Sequence, residues 1–230
     1  MCNKGRYRPT DKMSDLICDK YNLLQVLSRF QLPLGFGDQT VREVCDSAKV
    51  DCNTFLAIIN FISEENNRMV DNFEGFSVVA LMDYLKQAHH YFLDFQLPHI
   101  RAKLIEAIDS STNELAALIV KFFDAYVEEV HKHMDYEDKY VFKYVEKLLN
   151  GEHPSGFHIT QYARRHDQIE QKFKELTKII IKYYPSKENN NPPNSVLFDI
   201  FCCEEDLVSH CEIEDYLFVP TVRQLEKEER

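Results

Sequence analysis

Histidine and carboxylate residues lie on the apolar stripes of two long segments of this 230-residue chain. His133 is followed four residues later by Glu137, and His210 is followed four residues later by Glu214. Residues at i and i+4 share one face of an α-helix, so each pair presents an imidazole and a carboxylate side by side. Burying such groups is costly unless they are paired or bind a metal. The two pairs therefore predict a metal site in a helical core.

Two further segments each offer a histidine to such a site. His166 lies on the apolar stripe of the third long segment. The first long segment carries His89 and His90, and periodicity leaves the choice open, although His89 is in step with Leu85 and Phe92. Two His-x-x-x-Glu pairs and two additional histidines are enough ligands for two metals, which in such sites lie about 3.5–4 Å apart.

The spacing alone is a weak criterion, because His131 and Asp135 have it on a solvated face. For any single histidine, a buried imidazole satisfied by hydrogen bonds is the simpler interpretation. The metal site is favoured because several ionisable residues coincide on core stripes. A ferritin-like site needs Glu-x-x-His on two helices. It is disfavoured, since the chain has one such pair, Glu128 and His131, off the stripe.

The elements that must position these residues are helices. Six Gly and eight Pro are unevenly spread, and none lies between His99 and Asn150, whereas a β-rich fold needs many turn residues. The pattern predicts an all-α fold with a small N-terminal helical domain in residues 1–66 and an up-down-up-down four-helix bundle in residues 76–230. The predicted long helices are 77–109, interrupted at Pro98, then 111–149, with a kink, then 158–184 and 195–218.

Composition excludes several classes of function. The net charge of −11 argues against nucleic-acid binding and against an anionic membrane surface. No apolar run reaches the ~18 residues of a membrane span, and the first residues lack the apolar core of a signal peptide. The seven cysteines form no CxxC pair. These features predict a cytoplasmic protein with reduced thiols and no membrane or nucleic-acid partner.

Four segments together resemble hemerythrin-like (HHE) proteins and are most similar to the iron–sulfur cluster repair di-iron family, also called the repair-of-iron-centres family. They are His89-His90-x6-Leu97-Pro98, His133-x3-Glu137, Arg165-His166-Asp167 and His210-x3-Glu214-x5-Pro220. The similarity runs through residues 76–222. The N-terminal part also resembles that family's small helical domain, in the register of Arg29-Phe30 through Gln39-Thr40-Val41.

The resemblance implies a non-haem centre of two Fe ions with an oxo or hydroxo bridge. The implied ligands are His90, His133, Glu137, His166, His210 and Glu214. In this set Glu137 and Glu214 bridge the irons and each iron takes two histidines, which leaves a position for O2, NO or water. The resemblance selects His90 rather than His89, because the family's ligand lies seven residues before the Leu of Leu-Pro.

Two positions depart from the family pattern. The family's N-terminal domain usually carries Cys-Cys-Gly-Gly, where this chain has Gly35-Phe36-Gly37-Asp38. The family often has an acid immediately before the third-helix histidine, where this chain has Arg165. Thiol chemistry at the first position is therefore not expected here.

Three hypotheses of function follow from the resemblance. The first is a protein of nitrosative and oxidative stress that assists repair of damaged iron–sulfur clusters, with iron–sulfur proteins as partners. The second is a sensor or carrier of O2 or NO, which the missing cysteine pair favours. The third is an enzyme that reduces NO or peroxide at the di-iron centre.

A buried metal site makes stability depend on metal. We expect chelation to lower the melting temperature, because several buried ionisable groups lose their partner. Thermal unfolding followed by circular dichroism, with and without a chelator, measures the effect. An unchanged melting temperature would show that the predicted residues do not form a buried metal site.

Overall fold

The computed structural model describes residues 6–64, 75–108, 114–152, 154, 156–162, 167–184 and 189–228. Within these ranges the chain is helical and has no strand, and a single isolated bridge joins Lys12 and Thr40. This confirms the all-α prediction for the described part. The up-down-up-down order of four helices and the domain limits at residues 66 and 76 stay predictions.

The chain divides into two compact units. Unit 1 comprises Met1–Ala88 and Glu212–Arg230, and unit 2 comprises His89–Cys211. The two boundaries between the units, after Ala88 and after Cys211, fall inside helices that were predicted to belong to the bundle.

The described part of unit 1 begins with four short helices, α1 (Met13–Asp19), α2 (Leu23–Arg29), α3 (Val41–Ala48) and α4 (Cys52–Ser63). Residues 14–30 carry apolar residues at helical spacing, and they form two helices rather than one. Thr40 and Glu43 have the Thr-x-x-Glu spacing that predicts a capping box, and the structure confirms it: the Thr40 side chain accepts from the Glu43 backbone N–H and the Glu43 carboxylate accepts from the Thr40 N–H. Between α2 and α3, Gly35 and Gly37 have φ of 95° and 57°, which few residues other than glycine adopt.

In the rest of the described chain there are seven further α-segments. They are α5 (Val78–His90), α6 (Leu97–Ala107), α7 (Glu114–Tyr136), α8 (Phe142–Leu149), α9 (Asp167–Tyr183), α10 (Asn191–Ile213) and α11 (Val219–Glu228). A short 3₁₀ turn, Ile159–Gln161, lies before α9. The predicted interruption at Pro98 is not present, because Pro98 lies inside α6, directly after a π-helical segment. Another π-helical segment lies within the predicted second helix.

Among the described residues, three π-helical segments, Tyr91–Gln96, Glu137–Val141 and Glu214–Phe218, join α5 to α6, α7 to α8 and α10 to α11. A π-turn takes one residue more than an α-turn, so it shifts the residues that follow by one position around the helix. Such segments are frequent at functional sites. Two of the three begin at a predicted ligand, Glu137 and Glu214.

The two prolines of the long helices follow π-segments. Pro98 is the second residue of α6 and Pro220 is the second residue of α11. Proline has no N–H to donate along the helix and suits a first turn. The fourth helix therefore does not end at Phe218 as predicted, but continues to Glu228.

Ion pairs tie the helices of unit 2 together. Arg101 of α6 donates to both carboxylate oxygens of Asp124 on α7, at 2.6 and 2.9 Å. Lys103 of α6 contacts Asp199 of α10. Lys172 of α9 pairs with Glu129 of α7. These contacts join α6 to α7 and α10, and α9 to α7.

Three predicted features lie wholly or mostly outside the described residues: the connection between the domains, predicted at residues 63–68 and 71–75, the turn predicted at residues 109–111, and His166. Among the helices that are described, none combines the length and apolar character needed to cross a membrane.

Candidate metal centre

Four buried ionisable residues form a cluster. His89, Glu137, His210 and Glu214 each offer one ligand atom, and these atoms all lie within 4.8 Å of one another. His89 is 2% exposed and the other three are 0% exposed. His89, Glu137 and His210 belong to unit 2, and Glu214 follows His210 by one turn of the same continuous helix.

The local helices explain why these residues face inward. His89 follows Leu85 by four residues and precedes Phe92 by three, and both of these are fully buried. Its ring stacks on Phe142 with centroids 5.5 Å apart and meets the ring of His210 edge-on at 5.1 Å. Aromatic packing therefore fixes the planes of both imidazoles.

The carboxylate of Glu137 lies at the centre of the contacts in unit 2. Its Oε2 is 3.1 Å from His89 Nε2, and its Oε1 is 2.8 Å from His133 Nε2. The hydroxyl of Tyr162 donates to Oε1 at 2.6 Å. Each oxygen of this one carboxylate thus faces a different histidine.

The other ring nitrogen of His89 has its own partner. His89 Nδ1 is 2.9 Å from Asp138 Oδ1, and the Asp138 side chain is 42% exposed. An ionised carboxylate only accepts hydrogen bonds, so Nδ1 carries the proton and a neutral His89 ring has its lone pair on Nε2, toward the cluster. This His–carboxylate pair is the usual support for a metal-binding imidazole.

His90 lies on the opposite, solvent-facing side. Its side chain is 71% exposed, and its Nδ1 is 3.1 Å from Asp94, which is 74% exposed. The cluster therefore contains His89 and not the expected ligand His90. His89 faces inward because it is in step with Leu85 and Phe92. The π-segment Tyr91–Gln96 adds one residue after it, so that two interior residues, His89 and Leu97, lie eight rather than seven positions apart.

The other expected ligands are placed as follows. Glu137, His210 and Glu214 are in the cluster. His133 is 9% exposed and adjoins it through Glu137. His166 lies outside the described residues. Two supporting residues were not predicted: Asp138, whose only sequence signal is its position next to Glu137, and Tyr162, whose signal is its place on the apolar stripe with His166.

Beside the cluster the interior is apolar and holds neutral groups. Cys203 and Cys211 are buried at 2% exposure, as expected for reduced thiols in a core. Burial raises the pKa of Tyr126 well above its ordinary value, and the nearby Cys203 and Cys211 add to this effect. Because this tyrosine stays a neutral phenol, it adds no negative charge to the interior.

The hemerythrin HHE cation-binding domain family matches residues 80–222, more than half of the chain. The chain belongs to this family. The matched range contains all four cluster residues together with His133, Asp138 and Tyr162. No curated protein matches the chain.

The donor set of this hemerythrin-domain protein fits a metal. Imidazole nitrogen with carboxylate oxygen suits iron, manganese or zinc, whereas calcium and magnesium prefer all-oxygen ligation and copper(I) prefers sulfur. Two carboxylates inside a helical core also need compensating positive charge. A bound cation would supply that charge.

The placement of the adjacent histidines gives a paired test. We expect His89→Ala to lose bound metal, with an affinity loss beyond the roughly 10- to 100-fold that removal of an outer partner costs. His90→Ala, on the exposed face, serves as the matched control and retains it. Metal per chain is measured by inductively coupled plasma mass spectrometry. Loss of metal from His90→Ala together with retention of metal in His89→Ala would show that His90 is the ligand, as the resemblance implies.

Proposed function

We propose that this protein is a di-iron protein of the nitrosative and oxidative stress response that assists the repair of damaged iron–sulfur clusters. The observation that carries the proposal is the position of Glu137, whose two oxygens face two different histidines, 3.1 and 2.8 Å away. A carboxylate whose two oxygens face different histidines suits a site for two metal ions better than a site for one.

The residues that would hold the irons are the four cluster members with His133 and the predicted ligand His166. Glu137 and Glu214 would bridge, and the histidines would complete each metal. When bound, the two irons would supply open coordination positions for O2 or NO and a store of iron. The metal identity follows from the family resemblance, since the donor set also accepts manganese and zinc.

The protein's own residues have three tasks in this proposal. Asp138 fixes the tautomer of His89, and Phe142 fixes the plane of its ring. Phe92 lies edge-on to the ring of His210, with centroids 5.8 Å apart. This apolar lining limits access of water, which strengthens the interactions of the buried carboxylates with a cation.

Repair can be tested directly with a damaged iron–sulfur enzyme. The protein is purified anaerobically, loaded with iron, and mixed with a [4Fe–4S] hydratase inactivated by NO. We expect recovery of hydratase activity with the loaded protein and with loaded His90→Ala, but not with the metal-free protein or with His210→Ala. Equal recovery with the loaded and the metal-free protein would contradict the repair function.

A second candidate is a sensor or carrier of O2 or NO, and the cysteines of unit 1 favour it. Burial raises the pKa of Cys45 to about 12, with Cys52 adding to the effect, and burial also raises the pKa of Cys52. Both are therefore protonated thiols at neutral pH and poor metal-transfer ligands. Reversible binding of O2 without turnover would support this candidate, whereas multiple turnovers with a reductant would indicate an NO or peroxide reductase.

A further inference from the structure

The side chain of Tyr162, which directly follows the 3₁₀ turn, contacts the carboxylate of Glu137. The turn Ile159–Gln161 ends at Tyr162, whose backbone N–H donates to the Ile159 carbonyl at 3.0 Å. The Tyr162 side chain is 1% exposed, and its hydroxyl donates to Glu137 Oε1 at 2.6 Å. The contact joins residues 25 positions apart in the sequence. The turn is therefore built so that a buried phenol meets Glu137.

This hydrogen bond makes the two oxygens of Glu137 inequivalent. Oε1 is approached by the Tyr162 hydroxyl and by His133, whereas Oε2 is approached by His89. The terminal torsion of a glutamate is broad and roughly two-fold, so the side chain alone does not fix the orientation of the carboxylate plane. A hydrogen bond to one oxygen supplies that restraint.

We propose that Tyr162 is a positioning residue that holds Glu137 as a bridge between two metal positions. With Oε1 held, one oxygen stays directed toward His133 and the other toward His89. Without the hydroxyl, the carboxylate turns freely and can place both oxygens on a single metal, which leaves the other metal short of a ligand. This inference rests on the proposed two-metal centre.

The central experiment compares two Tyr→Phe variants that each remove one buried hydroxyl. Tyr162→Phe removes the bond to Glu137. Tyr84→Phe is the control, because Tyr84 is also 1% exposed and its hydroxyl accepts from Arg29 Nη1 at 3.1 Å. We expect Tyr162→Phe to bind one of its two irons about 10- to 100-fold more weakly, in the range found for outer partners of metal ligands. Tyr84→Phe should match the wild type.

Competition with an iron chelator measures the affinity of each iron, and the near-ultraviolet spectrum reports the pairing of the two. We expect Tyr162→Phe to lose one iron at a lower chelator concentration than the wild type does. The near-ultraviolet absorption band of the paired irons should disappear with that loss. Thermal unfolding of the metal-free proteins shows whether both variants fold. A Tyr162→Phe chain that fails to fold while Tyr84→Phe folds would overturn the proposal, since the hydroxyl would then be a structural group.

A double-mutant cycle separates positioning from general support of the core. If Tyr162 acts through Glu137, Tyr162→Phe adds no further loss of iron in a Glu137→Gln background. Equal losses in both backgrounds would mean that Tyr162 acts independently of Glu137, and would overturn the proposal.

The failure of this inference differs from the failure of the proposed function. Wild-type protein with two irons that Tyr162→Phe holds equally well would overturn the role of Tyr162 and leave the di-iron centre standing. Wild-type protein that takes up at most one metal under anaerobic loading would overturn the di-iron centre and the bridging role together.

Discussion

The burial of two carboxylates beside imidazoles is the constraint on which the rest of the structure depends. Glu137 and Glu214 are fully buried in a helical interior, where an uncompensated negative charge is costly. A helix satisfies its own backbone polar groups, so a bundle can bring such side chains together without breaking its main chain. The compensation must come from protons, from hydrogen bonds such as that of Tyr162, or from a cation.

The π-segments change which residues of a continuous helix face the interior. Each adds one residue to a turn, so that the interior face moves by one position along the chain. Val141, the last residue of the segment Glu137–Val141, is buried, whereas Tyr140 before it is 62% exposed. The segment Tyr91–Gln96 likewise separates two interior residues, His89 and Leu97, by eight positions. A count along the sequence at the spacing of a regular α-helix therefore fails across such a segment.

The sequence was sufficient for the helical class, for the Thr40 capping box and for three of the four cluster residues, because these depend on local spacing. His210 and Glu214 are separated by four residues and need no knowledge of the π-segment that follows them. His89 is in step with Leu85 and Phe92, but the resemblance selected His90 by counting back from Leu97 across residues that form a π-segment. That segment leaves no composition signal. Tyr162 could not be assigned to Glu137, because that contact depends on how distant segments pack.

The most direct test of the account is an X-ray crystal structure of anaerobically prepared, iron-loaded protein with anomalous scattering measured at the iron edge. The account predicts two anomalous peaks about 3.5–4 Å apart, one on each side of the Glu137 carboxylate, with His89 as a ligand and His90 in solvent. A single peak, or peaks ligated by His90 with His89 displaced from the interior, would contradict it.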